Sequence, residues 1–192
     1  YAYAINSPLM RQVSADELDP YMANARMIVD DPSKLKAEIS KEHQILATEI
    51  AEILNEAKQE IIIFTPYFIP GKSGIEFVRR LREKGVRIVV VTNSLASNNH
   101  TAVHSAYSSY RKDLLKAGVE LWEARANASV IAVESGDTTL TSPLTLHTKG
   151  ILIDRRQVFV GSLNLDPRSI DINTEMGLLI ESETLVSEMT DN

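Results

Sequence analysis

Two short runs rich in β-branched residues, residues 61–65 (IIIFT) and 86–92 (VRIVVVT), are separated by a helically periodic stretch that Gly85 stops. That alternation limits what the chain can fold into. A helix opening at Ser73 or Gly74 and running to Lys84 joins the two runs, and residues 103–117 supply another, closed by Gly118 before a strand at residues 119–122. Strands joined by helices of this length favour parallel βαβ units, so the expected class is α/β, a mixed and mainly parallel sheet flanked by helices. Residues 34–59 carry Leu35, Ile39, Ile45, Leu46, Ile50, Ile53 and Leu54 in a helical stripe. Residues 1–33, with Pro8, Pro20 and Pro32 and an acidic stretch, read as a connecting arm, leaving residues 34–192 as the folded domain.

The chemistry is concentrated further on, in LHTKGILIDRRQVFVGSLN. Residues 146–153 alternate as a strand does, and a strand sends every second side chain to the same face, so His147 and Lys149 share one. Asp154 falls on the other face by the same parity. Its expected role is structural, pairing with a basic neighbour or capping the turn at Arg155 and Arg156. Residues 157–160 read as the return strand, and Gly161-Ser162 ends it where the backbone needs freedom to bend. Ser162 and Asn164 then lie near a sheet edge. An imidazole, a cation and a cluster of small hydrogen-bond donors are what is needed to attack phosphorus and hold its oxygens. Glu175 falls on the next predicted strand, residues 173–180, among nonpolar neighbours. A carboxylate there either fixes an imidazole tautomer or pairs with an arginine such as Arg168.

The spacing H-x-K-x4-D-x6-G-S-x-N resembles the signature of the phospholipase D superfamily and matches it at every fixed position. The resemblance implies that His147 is a catalytic imidazole, that Lys149, Ser162 and Asn164 bind phosphate, and that Glu175 orients His147. Members of the superfamily use two such motifs, one histidine attacking phosphorus to form a phosphohistidine while the other protonates the leaving alcohol and then activates the incoming one. The first-half histidine is usually the nucleophile, which makes His147 the candidate general acid and then base. TPYFIPG, VTNSLASNNHTAVHSAYSSYRKDLLKAGVELWE and LHTKGILIDRRQVFVGSLNLDPRSIDINTEMGLLI resemble the C-terminal half of bacterial cardiolipin synthases. This likeness covers residues 61–180 and lapses between residues 124 and 146, read as a variable loop or an extra hairpin. It implies a phospholipid substrate such as phosphatidylglycerol, no cofactor, and a peripheral place on the cytoplasmic face of the bacterial inner membrane.

His43, His100 and His104 each lack a lysine two residues on, so this sequence holds a single copy of the motif. A second copy is expected either in an N-terminal half or from a second chain in a homodimer. With neither present, this piece is expected to be inactive. Two loops at strand ends offer candidate pocket residues: Tyr67 and Phe68 in one, and Asn93, Ser94, Asn98, Asn99, His100 and His104 in the other. The same side chains fit equally well as anchors packed on the core, and Trp122 reads as a core or rim residue. The Tyr67-Phe68-Ile69 loop is the candidate for a nonpolar groove. A net charge of -6 argues against a broad nucleic-acid surface, and the absence of cysteine removes disulfides and thiolate metal sites. No apolar run is long enough to span a bilayer, so membrane contact is expected to be peripheral.

Overall fold

The computed structural model describes residues 7–15, 20–36, 43–98, 100–126 and 145–191. Its strands are β1 (Asn24–Val29), β2 (Glu60–Phe64), β3 (Arg87–Asn93), β4 (Glu120–Ala124), β5 (Gly150–Ile153), β6 (Gln157–Gly161) and β7 (Met176–Glu181). They form one sheet in the order β1-β7-β6-β5-β2-β3-β4. The helices are α1 (Pro8–Ala15), α2 (Ile45–Asn55), α3 (Gly71–Glu83), α4 (Thr101–Lys116), α5 (Pro167–Asp171) and α6 (Glu183–Asp191), with a 3-10 turn at Pro32–Leu35. Of the helix predicted over residues 34–59, the described part holds the end of this turn and α2, and residues 37–42, with Ile39, lie outside the described residues. Of the variable segment between residues 124 and 146, residues 127–144 lie outside the described residues, as does Asn99.

The sheet is mixed, as expected, but it is not mainly parallel. Parallel pairing is confined to β2–β3 and β3–β4, where α3 and α4 make the crossovers. The other four ladders among the described residues are antiparallel. The reason at β5–β6 is the length of the connection, since residues 154–156 are far too few for a crossover and allow only a hairpin. The connecting arm predicted for residues 1–33 is in part a strand: β1 pairs with β7 from Asn24↔Glu181 to Val29↔Met176.

Strand parity sorts the core. Ile61 and Ile63, with Ile151 and Ile153, face the side covered by α2, α3 and α4, where Leu46, Ile50, Leu81 and Leu114 are fully or almost fully buried. Leu152 and Val158 face the opposite side and meet Val186 of α6. At the β6–β7 rung Gly161 pairs with Gly177. The bend that the sequence predicts at Gly161 is not what requires glycine, because its φ is not in the left-handed region. Space requires it: a Cβ at Gly161 would lie 2.5 Å from the Met176 carbonyl oxygen, and one at Gly177 2.3 Å from the Phe159 ring.

Asp30, just after β1, carries the main polar interaction of the interior. Its carboxylate accepts from Lys34 Nζ at 2.7 Å, from the Leu46 backbone N–H at 2.9 Å and from the Glu175 backbone N–H at 3.1 Å. The Asp30 N–H in turn donates to the Glu175 carbonyl at 2.9 Å. Lys34 Nζ also donates to the Ser169 carbonyl at 3.2 Å, and both side chains are essentially without solvent contact.

The C-terminal ends of β1, β2, β3 and β6 and the N-terminal ends of β5 and β7 lie along one edge of the sheet, so the connections after and before them converge there. Asp154 sits at the opposite end of β5. It and Arg155 both have positive φ, which Asp tolerates well, in a turn closed by Arg156 N–H donating to the Ile153 carbonyl at 3.0 Å. The Asp154 carboxylate accepts from the backbone N–H groups of Lys58 (2.8 Å), Gln59 (2.7 Å) and Glu60 (3.0 Å), binding the hairpin to the start of β2. Asp154→Asn turns one acceptor oxygen into a donor facing these amides. The variant is expected to lose about 1–3 kcal/mol of stability in urea unfolding, with a smaller effect on affinity for inorganic phosphate. A variant of unchanged stability that has lost phosphate affinity would contradict this.

Candidate active site

His147 lies in residues 145–149, which precede β5 and belong to no strand, so the predicted strand over residues 146–153 is shortened to its second half. His147 and Lys149 nevertheless meet. Lys149 Nζ is 3.3 Å from His147 Nε2 and donates to the His147 carbonyl at 2.9 Å. An ammonium has no acceptor, so in this contact the imidazole supplies a lone pair from Nε2. His147 is exposed, which leaves the ring open to a substrate arriving from solvent.

Lys149 is only partly exposed, and burial holds its pKa below the ordinary lysine value of 10.5, opposed by the charge of Glu175. Glu175 is buried, at 6% exposure, just before β7. Its carboxylate accepts from the Ser162 hydroxyl and from Asn173 Nδ2 at 3.2 Å. Among the described residues it makes no hydrogen bond to His147 and no ion pair with Arg168. Its direct partner is the Ser162 hydroxyl, and its field acts on Lys149.

Ser162 is held at both ends of its own residue. Its N–H donates to the Met176 carbonyl at 2.9 Å, and its hydroxyl oxygen accepts from the Met176 N–H at 3.0 Å. In this geometry the hydroxyl proton points to Glu175 rather than outward. Asn164, two residues on, has a buried amide oxygen without a hydrogen-bond partner among the described residues. A buried polar atom left unpaired is costly and marks a place where a ligand or water completes the bonding. The edge thus combines an exposed imidazole whose lone pair can attack phosphorus, a partly desolvated cation that suits an anionic oxygen, and a free amide acceptor that suits a water or an alcohol hydroxyl.

Residues 50–192 match a family model described as cardiolipin synthase, PLD-like domain. The chain belongs to that family. Cardiolipin synthase C of Escherichia coli is 38% identical over 181 residues, covering 94% of this chain and 38% of the relative. Cardiolipin synthase A of Serratia proteamaculans is 29% identical over 147 residues, covering 77% of this chain and 26% of the relative. The chain therefore spans well under half the length of these curated relatives. Among solved structures, the phospholipase D family member Nuc of Salmonella typhimurium superposes with a TM-score of 0.60 at 14% identity, over 88% of this chain and 91% of its own. Phosphatidylserine synthase of Haemophilus influenzae gives 0.62 at 20% identity, over 90% of this chain and 38% of its own. At these identities the likeness is one of fold.

The other pocket candidates of this PLD-like domain divide. Tyr67 is half-buried with its ring edge-on to His100 at 5.7 Å. His104 is buried against the Tyr107 ring, with centroids 5.6 Å apart, and its Nδ1 has no hydrogen-bond partner among the described residues. At 7% exposure it packs in the interior beside Tyr107 of the same helix. Asn93 is 1% exposed and lines nothing, because its amide is bonded to backbone. Phe68 is buried too, and with Pro70, Leu163 and Leu165 it lines an apolar cavity of about 450 Å³ between α2, α3 and the sheet. Trp122 is exposed on the edge strand β4. Asp30 and Lys34 are the residues that the sequence reading passed over. Their signal was an oppositely charged pair four residues apart beside Pro32, ordinarily a surface feature.

The depressed pKa of Lys149 gives a prediction with a definite sign. A lysine that loses its proton early stops attracting an anion early, so affinity for inorganic phosphate falls as pH rises through the Lys149 pKa, below 10.5. Calorimetric titration against pH is expected to show that step for the native protein and none for Lys149→Gln. A native affinity that holds steady up to the ordinary lysine value would count against it.

Proposed function

We propose that this chain is the C-terminal catalytic half of a phospholipid phosphatidyltransferase of the cardiolipin synthase type. The observation that carries the reading is the meeting of Lys149 Nζ with His147 Nε2 at 3.3 Å, on the sheet edge that also holds Ser162, Asn164 and Glu175. The second imidazole comes from a second motif, in the remainder of a longer chain or in a partner copy. One histidine attacks phosphorus and the bond to the leaving alcohol breaks, with the other imidazole giving that oxygen its proton. The same imidazole then takes the proton of an acceptor alcohol, whose oxygen attacks the phosphohistidine, forming the new phosphodiester and freeing the first ring. With the second motif in the remainder of a longer chain, His147 serves as the acid and then the base, whereas in a symmetric pair of copies the two imidazoles are equivalent; Lys149 Nζ and the Asn164 Nδ2 donor hold the phosphoryl oxygens. Ser162 joins them when its hydroxyl turns from Glu175.

Names among the relatives support the lipid substrate, with cardiolipin synthases matched in sequence and a phosphatidylserine synthase in fold. The apolar cavity walled by Leu163 and Leu165, which flank Asn164 in the chain, fits an acyl tail held next to the phosphate. The proposed attachment of this half, peripheral and at the cytoplasmic face, rests on the likeness to cardiolipin synthases; no helix among the described residues is long and apolar enough to cross a membrane. The Nuc fold keeps a second reading open, a single-motif phosphodiesterase working as a homodimer, and the charge of -6 weighs against nucleic acid.

The test compares the full-length parent, its His147→Ala variant and this fragment, each with phosphatidylglycerol vesicles and separately with DNA. The parent alone is expected to form the transesterified lipid with release of glycerol, and His147→Ala to fall by about 10²–10⁴-fold, the usual contribution of a positioned acid and base. Cleavage of DNA by the fragment would replace this reading with the homodimeric one.

A further inference from the structure

We infer that Asn93 is a positioning residue for His147, acting through the backbone of Leu146. Asn93 is the last residue of β3 and is almost wholly enclosed, at 1% exposure. A carboxamide so buried must have both ends satisfied, and this one turns both ends to the backbone of Leu146. Its Oδ1 accepts from the Leu146 N–H at 2.8 Å, and its Nδ2 donates to the Leu146 carbonyl at 3.0 Å and to the Pro66 carbonyl at 3.4 Å. The exchange of one donor and one acceptor with the same residue reproduces, by a side chain, the double bond of an antiparallel rung.

That substitution is needed because residues 145–149 belong to no ladder among the described residues. Beyond Leu146, the segment is fixed by Gly161 N–H donating to the Lys149 carbonyl at 3.2 Å and by Lys149 Nζ on the His147 carbonyl. His147 is therefore suspended between two anchors, Asn93 on one side and the start of β5 on the other. Asn is suited to the first anchor because it presents a donor and an acceptor in one plane on a single-methylene stem. Asp offers no donor to the Leu146 carbonyl, and Gln is longer by a methylene. Asn93 does not reach the substrate, so its loss displaces the imidazole without removing a phosphate contact. A displacement of about 1 Å is enough to cost about 10²-fold in rate.

This inference rests on the reading of His147 as catalytic, and the experiment separates the two. In the full-length parent, Asn93→Asp and Asn93→Ala are expected to lower kcat by about 10²-fold while KM for phosphatidylglycerol stays within about twofold, at matched folded protein by circular dichroism. If His147→Ala keeps full activity, the catalytic reading fails. If His147→Ala is inactive while the folded Asn93 variants keep kcat, or lose it only through KM, the Asn93 assignment alone fails. A second measurement needs no variant to fold: in the native protein the Leu146 amide is expected to exchange with deuterium at least about tenfold more slowly than that of Thr145, as a bonded amide does. Equal exchange at the two positions overturns the clamp.

Discussion

Everything near the site edge hangs on one buried carboxylate. Asp30 is paired with Lys34 out of contact with water, a placement that is tolerable only when the remaining bonding capacity of both ions is taken up. The two oxygens of Asp30 meet that condition by accepting from Lys34, Leu46 and Glu175, and Lys34 adds the Ser169 carbonyl. Each partner belongs to a different part of the fold. Leu46 is in the first turn of α2, whose N-cap residue Gln44 makes no side-chain cap, so Asp30 supplies from a distance the acceptor and negative charge that this terminus needs. Ser169 lies in α5, and Glu175 enters β7. One ion pair thus sets α2, α5 and the acidic member of the site relative to the edge strand.

The two ends of β5 illustrate how a contiguous signature is divided in space. At one end an exposed histidine meets a partly buried lysine beside an acidic group. At the other, Asp154 faces three backbone amides at the start of β2 and has no part in that cluster. The four residues between them, Gly150–Ile153, are buried on both faces and act as a spacer. The proposed catalytic end and the folding end of this stretch thus answer to different requirements, although they lie within eight residues of one another.

Much of this was legible in the sequence, and the parts that were not have physical causes. The β-branched runs and glycine stops located β2, β3, α3 and α4 to within a few residues, because period and punctuation are local properties. The site cluster was legible for the same reason, its members being close in the chain. β1 was not, since five of its six positions are exposed and an edge strand shows neither a buried run nor clean alternation. Sheet direction was over-read from the βαβ portion, as the choice of β2 as the antiparallel neighbour of β5 is a tertiary fact with no local mark. For Asn93 and His104, at a strand end and a helix start, the sequence leaves pocket lining and core packing equally open, and burial decides for packing. What sequence cannot give is which way a side chain turns, and both turn inward.

Gly161 shows what kind of information a signature residue can carry. A methyl group there meets the backbone of β7, and a methyl group at Gly177 meets Phe159 and the backbone of β6, so neither vacancy can be filled by trimming the opposite side chain alone. The requirement is a joint property of two positions sixteen residues apart, although only one of them belongs to the motif. Each position excludes a side chain for as long as the other strand keeps its place. The pair, with the ring of Phe159 beneath it, is the unit that variation has to change together.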